Sequence, residues 1–397
     1  MGYKLIITRQ KNRIISALYD EKDMIQVNVD DTSRLSILGN IYVGKVKNIV
    51  KNINAAFVEI AEGVMCYLSL EENEHPIFCN VKNNDKINIG DEIIVQVSKE
   101  GVKTKAPVVT CNLNFTGKYV VLTHGKTMIG TSNKINQETE KTRLKNIVGE
   151  YKNPAYGFII RTNSSGAREE FIRGEINTLV SLYQDIKEYG IHKSRFSLIY
   201  ATPENYICEI RDGYSEQIDK IITDDKKIFE QIQDYLNSFQ KEDLNKLQIY
   251  EDPLLSLSNL YSVDSRLENA LREKVWLKSG GNLIIQPTEA LTVIDVNTSK
   301  AIAGKKKAEE TFLKINLEAA KEIAKQLRLR NISGIIIIDF INMEDNNNKA
   351  ILMKELRILL SKDPIKTVVV DMTALDLVEV TRKKVRKPLL EQYNLRG

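Results

Sequence analysis

Between residues 290 and 371 the chain repeats one arrangement: a short β-branched apolar run that stops on an aspartate, followed by a longer amphipathic stretch. "EALTVIDVNTSK" ends its run on Asp295, "GIIIIDFINM" on Asp339 and "KTVVVDM" on Asp371. The short runs predict strands over 290–296, 334–340 and 366–371, and the longer stretches predict helices over 307–330 and 347–361. Phe312, Ile315, Ala319, Ile323, Ala324 and Leu327 form the apolar stripe of the first helix, with Asn331 and Gly334 as its stop. A further helix is expected through "LDLVEVTRKK". Strand, helix, strand implies a crossover, which makes the Asp295 and Asp339 strands parallel.

Upstream the periodicity changes. "YKLIIT", "RIISALYD" and "MIQVNV" read as short strands at the edge of a sheet. From Gly39 to about residue 99, alternating strands punctuated by Gly39, Gly44 and Gly63 suggest a small closed barrel. Residues 118–206 mix strands and helices, including the strand "YGFIIRT", the turn "NSSGA" and the amphipathic run "EEFIRGEINTLVSLYQDI". A largely helical, charged stretch is expected from 214 to about 275.

Composition narrows the class. The 397 residues are enough for two to four domains, and 42% hydrophobic with 28% charged content is that of a soluble globular protein. No apolar run approaches the ~20 residues of a membrane helix, and the start "MGYKLIITRQ" lacks a signal-peptide core, so a cytoplasmic location is expected. Cys66, Cys79, Cys111 and Cys208 stand far apart without a C-x-x-C pair and read as buried thiols. A net charge of +4 is too small to announce a polyanion partner by itself.

The aspartates carry the chemistry. On neighbouring parallel strands, about 4.8 Å apart, Asp295 and Asp339 both occupy carboxyl ends, where open α/β sheets bind ligands. Two carboxylates so close repel unless a cation lies between them. With Asn297 beside them, this oxygen-rich set suits Mg²⁺. The alternative is that each aspartate caps the following helix, and for Asp371, in "DMTALD", the cap is the preferred reading.

With these residues in view, the chain resembles the ribonuclease E/G family, most specifically in "PTEALTVIDVN", "EETFLKINLEAAKEIAKQLRLRNISGIIIIDFINM" and "DMTALDLVEVTRKK". The resemblance implies an α+β multidomain chain. Residues 1–36 and 207–271 would form a split ribonuclease-H-like subdomain, 37–112 an inserted oligonucleotide-binding barrel of ribosomal type, 113–206 a 5′-phosphate sensor and 272–397 a deoxyribonuclease-I-like catalytic subdomain. It also implies that Asp295 and Asp339 ligate Mg²⁺ with help from Asn297. The substrate class would be single-stranded RNA, such as mRNA, rRNA or tRNA precursors.

Other residues gain expected roles. Phe57 and Tyr67 with Lys105 suit a single-strand platform, aromatics for bases and lysine for the backbone, and all three match the family's RNA contacts; the alternative makes Phe57 barrel core. Arg161 and Thr162 end a strand before a turn and a helix, where guanidinium, hydroxyl and N–H groups converge on a phosphate. The resemblance makes them sensors of a 5′ monophosphate; the alternative is a serine-capped helix start. The sensor's second arm, an arginine in the family, is matched here by Lys366, which forms no bidentate fork and predicts weaker sensing. Lys305, Lys306 and Lys307 read as solvated surface rather than a backbone clamp. The family's zinc-linking cysteine pair does not occur before Gly397, so a homodimer would have to form without that link.

His75, His124 and His192 lie in three separate segments, which leaves a histidine-pair mechanism unsupported. The expected reaction is metal-assisted hydrolysis, in which an in-line water attacks and 5′-phosphate and 3′-hydroxyl ends result. The rivals are a catalytically inactive RNA-binding protein and a metal phosphodiesterase acting on another substrate.

Overall fold

A computed structural model describes the chain apart from residues 1, 22, 34–35, 74, 81, 83, 102–104, 213–217, 299–304, 394–397 and the side chains of 305–307. The chain divides into two compact units: Met1–Ser33 with Gln217–Glu230 and Lys246–Gly397, and Arg34–Glu216 with Gln231–Asn245.

In the first unit, Tyr3–Gln10, Arg13–Asp20 and Asp23–Asp31 form an antiparallel meander, and Tyr3–Gln10 also pairs in parallel with Ile218–Thr223, which pairs with Leu247–Ile249. Tyr3–Gln10 is therefore a central strand, with only Asp23–Asp31 of the meander at an edge. The stretch expected to be largely helical contributes two strands to this sheet. In "IDKIIT", Ile218, Ile221 and Ile222 are buried while the adjacent Asp219 and Lys220 are exposed, at the point where the register against Tyr3–Gln10 shifts.

The second sheet of this unit has six strands in the order Lys274–Trp276, Asn282–Pro287, Leu291–Asn297, Gly334–Asp339, Leu377–Arg382, Thr367–Met372. Helices Lys305–Leu329 and Asn346–Ser361 follow the two aspartate strands, as the apolar periodicity requires. Ile294, Val296, Ile336, Ile338, Val378 and Val380 cluster with Ile315, Ala319, Ile323 and Leu327 of the first helix and Leu352 and Leu356 of the second. The opposite face is open, with Ile335 51% exposed. Asn331 takes a positive φ of 49° and stops the first helix, as expected. Leu377–Arg382 is a strand, not a helix: it lies between Gly334–Asp339 and Thr367–Met372, antiparallel to both, and alternates buried Val378 and Val380 with half-exposed Leu377 and Glu379.

In the second unit, Ile41–Val50, Ala55–Ala61, Val64–Ser69, Val108–Thr110 and Glu92–Lys99 pair in that order, and the last closes back onto the first. This is a closed five-stranded barrel of the oligonucleotide-binding type, filled by Val46, Val58, Ile60, Leu68, Ile93, Val95 and Val109. Gly44 is not a turn residue: it lies mid-strand, where a Cβ would come within 2.5 Å of the Val58 side chain. A four-stranded sheet follows (Asn114–Thr116, Val120–His124, Tyr156–Ile160, Ile129–Thr131), packed against helix Glu169–Tyr189 through Phe115, Leu122, Phe158, Ile172, Ile176 and Tyr183. Among the described residues, no helix is long and apolar enough to cross a membrane.

Candidate functional site

The Asp295 and Asp339 strands pair in parallel, with Leu291 to Asp295 opposite Ile335 to Asp339, so the two aspartates are direct partners in one row. Directly paired residues point to the same face, and the buried neighbours Ile294, Val296 and Ile338 claim the other one. Both carboxylates therefore project together from the open face at the carboxyl end. Asn297, two residues on and on the same face, donates from Nδ2 to Asp295 Oδ2 at 2.7 Å. The Asp339 carboxyl sits above its ordinary range, first because of partial desolvation and then because of the negative charge on Asp295. Among the described residues neither aspartate makes an ion pair, and no group of three or more His, Cys, Asp or Glu side chains is arranged to hold a metal. What is present, two uncompensated carboxylates with an amide beside them, fits a hard cation that keeps most of its shell for water and phosphate oxygens.

The capping alternative does not describe these residues. The helix after Asp339 is capped by Asp345, whose side chain accepts from Asn347 N at 2.8 Å. Asp371 caps no helix either: its carboxylate accepts from the adjacent Met372 N–H, and a strand follows.

Two positioning residues escaped the sequence reading. Asn316, fully buried, donates to Ile341 O at 2.8 Å and accepts from Ile341 N at 3.1 Å, gripping the backbone two residues past Asp339. Glu309 accepts from the main-chain N–H groups of Glu344 and Asp345 in the same loop. The only available signal was an asparagine between Ile315 and Ala319 on an apolar stripe.

In the barrel, Phe57 and Tyr67 are directly opposed on adjacent strands, with ring centroids 6.3 Å apart at 81°. Both are half-buried, while Ala56, Val58, Cys66 and Leu68 fill the interior, so Phe57 is not barrel core. Lys105 is exposed two residues before Pro107, whose carbonyl accepts from Tyr67 N at 2.8 Å. The three residues thus share one outer region of the barrel. Cys66 and Cys111 are buried, and burial pushes their thiols up to about 11 and about 12; Cys79 and Cys208 are only half-buried.

Arg161 extends the strand Tyr156–Ile160 and donates from Nη1 to Gly117 O and, at 2.7 Å, to Asp212 Oδ1. Thr162 shares a hydrogen bond with Ser132 Oγ at 2.9 Å and opens the short turn Thr162–Ser164. Ser164 donates to Tyr119 O and no serine caps helix Glu169–Tyr189, whose N-cap is Arg168. Buried Glu175 accepts the main-chain N–H groups of Lys118, Tyr119 and Val120 at 2.6–2.9 Å, and a Cβ on Gly117 would meet its carboxylate at 2.3 Å. This clamp fixes the segment whose Gly117 and Tyr119 carbonyls hold Arg161.

Lys366 belongs to the first unit, exposed at the start of Thr367–Met372. The side chains of Lys305, Lys306 and Lys307 lie outside the described residues, at the start of helix Lys305–Leu329. His124 is brought close to His75, but through the His75 main-chain carbonyl, which lies 2.9 Å from Nε2, while Nδ1 meets Tyr183 Oη at 2.9 Å.

A model of the ribonuclease E/G family matches residues 114–385. The chain belongs to the ribonuclease E/G family. A model of the S1 RNA binding domain matches residues 35–112, the segment that forms the closed barrel. Family relatives include ribonuclease G of Haemophilus influenzae, 35% identical over 96% of this chain and 79% of its own length. Ribonuclease G of Escherichia coli K12 is 32% identical over 96% of this chain and 80% of its own. Ribonuclease E of Synechocystis is 31% identical over 98% of this chain but 58% of its own.

Proposed function

We propose that this member of the ribonuclease E/G family is a Mg²⁺-dependent endoribonuclease that cleaves single-stranded RNA in RNA processing and mRNA decay. It leaves 5′-phosphate and 3′-hydroxyl ends. The observation that carries the reading is the direct pairing of Asp295 and Asp339 at the carboxyl ends of adjacent parallel strands, with Asn297 bonded to Asp295. Family membership makes the chain an endoribonuclease, and the S1 barrel supports single-stranded RNA as the polymer.

In this reading Asp295 and Asp339 hold Mg²⁺, which when bound polarises the scissile phosphodiester and offsets its charge. Asn297 keeps Asp295 in one orientation, and Asn316 and Glu309 keep the loop after Asp339 in register. Phe57 and Tyr67 stack bases, and Lys105 faces the backbone. Arg161 and Thr162 take a 5′ phosphate: both Arg161 bonds use Nη1, which leaves the Nε–Nη2 edge for two phosphate oxygens. The resemblance assigns the sensor's second arm to Lys366, a positive charge without a fork. The first sheet corresponds to the ribonuclease-H-like part and the six-stranded sheet to the deoxyribonuclease-I-like part.

The test is cleavage of a short AU-rich RNA carrying a 5′ monophosphate beside its 5′-hydroxyl twin, with wild type and Asp295→Asn in Mg²⁺. Wild type should cut both, the monophosphate faster, and Asp295→Asn neither. Equal cleavage by the variant, or none by wild type with any single strand, would sink the reading.

A further inference from the structure

The chain has a single tryptophan, Trp276, and it is 64% exposed on a three-residue edge strand. Exposure alone says little, since single apolar side chains are common on protein surfaces; what this one touches and faces is more informative. One side of its ring is already occupied: Lys274 Nζ lies 4.1 Å from the ring centroid. Strand pairing locates this pair relative to the aspartates. Lys274 is opposite Ile284, Ile284 opposite Asp295, and Asp295 opposite Asp339, one continuous row across four strands. Trp276 is opposite Asn282, and Asn282 opposite Asn297, in the next row on the same face. Residues in register share a face, so Trp276 and Lys274 stand on the open face that presents Asp295, Asn297 and Asp339. They are two strand spacings, about 10 Å, from Asp295 and Asn297, and three, about 14 Å, from Asp339.

We propose that Trp276, with Lys274 against its ring, is a base-stacking subsite of the catalytic sheet, which holds a nucleotide of the RNA strand flanking the scissile linkage. The indole offers a flat apolar face of the kind that stacks on any base, and the lysine offers charge to the adjoining phosphate. A strand crossing the aspartates toward this edge of the sheet meets the pair next. Phe57 and Tyr67 belong to the other unit, so the catalytic sheet would have its own means of holding RNA in register. Trp276 is a positioning residue here, and the inference rests on the nuclease reading for its substrate class.

The single indole is also the probe, because tryptophan emission reports this position alone. In Asp295→Asn, which leaves the strand uncut, titration with a short AU-rich single strand should quench the emission, and a duplex of the same sequence should not. In the otherwise wild-type enzyme Trp276→Ala should raise KM about 5- to 150-fold, the loss of one stacked base, with kcat changed less, and Trp276→Phe should restore most of it. Since the side chain is mostly exposed, the unfolding midpoint of Trp276→Ala should match wild type. Cleavage by wild type with no quenching and an unchanged KM in Trp276→Ala overturns the inference and leaves the nuclease intact. So does an effect of Trp276→Ala on self-association alone, the result expected if the pair only shields a sheet edge. Quenching by RNA in a protein that never cleaves supports the stacking site and sinks the nuclease reading instead.

Discussion

Replacing Asp339 with asparagine should make the metal-free protein more stable and the enzyme inactive, two effects of opposite sign from one substitution. The side chain keeps its shape and loses its charge, so what changes is the repulsion between two carboxylates paired on adjacent strands. At about 5 Å two unit charges repel by ~0.8 kcal/mol in water and ~3 kcal/mol at an effective dielectric of about 20. Asp339 is exposed and Asp295 half-buried, so the water limit governs and about 1 kcal/mol is released. For a unit of about 200 residues that is a rise in melting temperature of about 2–4 °C in EDTA. Mg²⁺ should reverse the order: at ten times its dissociation constant it adds about 1.4 kcal/mol to wild type, and little to a variant with one carboxylate. Cleavage should fall more than about 100-fold, because charge stabilisation worth several kcal/mol is lost at 1.36 kcal/mol per decade. Thermal unfolding with and without Mg²⁺, beside a cleavage assay on labelled RNA, reads all three. A lower melting temperature in EDTA, or equal Mg²⁺ stabilisation of both proteins, would refute the claim that these carboxylates form one cation site.

Other substitutions test separate parts. Phe57→Ala should weaken single-strand binding about 5- to 150-fold in fluorescence anisotropy, from loss of a stacked base, with a smaller change in the rate of bound substrate. Asp212→Asn removes the charge that Arg161 pairs with at 2.7 Å, and should tighten discrimination for a 5′ monophosphate over a 5′ hydroxyl in competition cleavage; unchanged discrimination would separate Asp212 from the sensor. Burial depresses the His124 pKa below its ordinary 6.5, only partly offset by the His75 carbonyl. The unfolded chain therefore binds the extra proton, and stability that is complete above pH ~6.5 should fall as the pH is lowered toward 5, a slope that His124→Gln should flatten in urea titrations. Asn316→Ala strands the Ile341 N–H and carbonyl and should cost about 2–4 kcal/mol of stability in urea unfolding.

The catalytic half was legible because its signal is local. Four consecutive isoleucines ending on Asp339, after a helix with a clear stripe, leave little choice but a buried parallel strand, and register then brings Asp295 opposite Asp339. Leu377–Arg382 is disguised for a local reason too: "DMTALD" resembles a helix start, whereas buried Val378 and Val380 alternate with the more exposed Leu377, Glu379 and Thr381 at the period of a strand. The strand Ile218–Thr223 was hidden in a different way. Its partner, Tyr3–Gln10, lies more than 200 residues earlier, and no nearby residue records that pairing. Arg161 could be placed at a strand end from sequence, but its tie to Asp212 depends on a fold-back of about 50 residues that the chain does not announce.

An exposed and a half-buried carboxylate on an open sheet face have little packing of their own, so their positions must come from what holds the strand ends. At the carboxyl end, Asn316 and Glu309 take up the main-chain groups of Ile341, Glu344 and Asp345. At the other end, buried Arg382 joins Asp363 at 2.7 Å, Asn331 Oδ1 at 3.0 Å and Ile332 O at 3.1 Å, tying the helix stop to the start of the Asp339 strand. Between these two polar grips runs the dry apolar ladder of Ile336 and Ile338 against Ile294, Val378 and Val380. A buried ion pair is a poor source of stability beside an apolar replacement, so Arg382 and Asp363 are better explained by register. A slip of one residue along the Asp339 strand would turn Asp339 into the core and Ile338 to the surface, separating the two charges and abolishing the site.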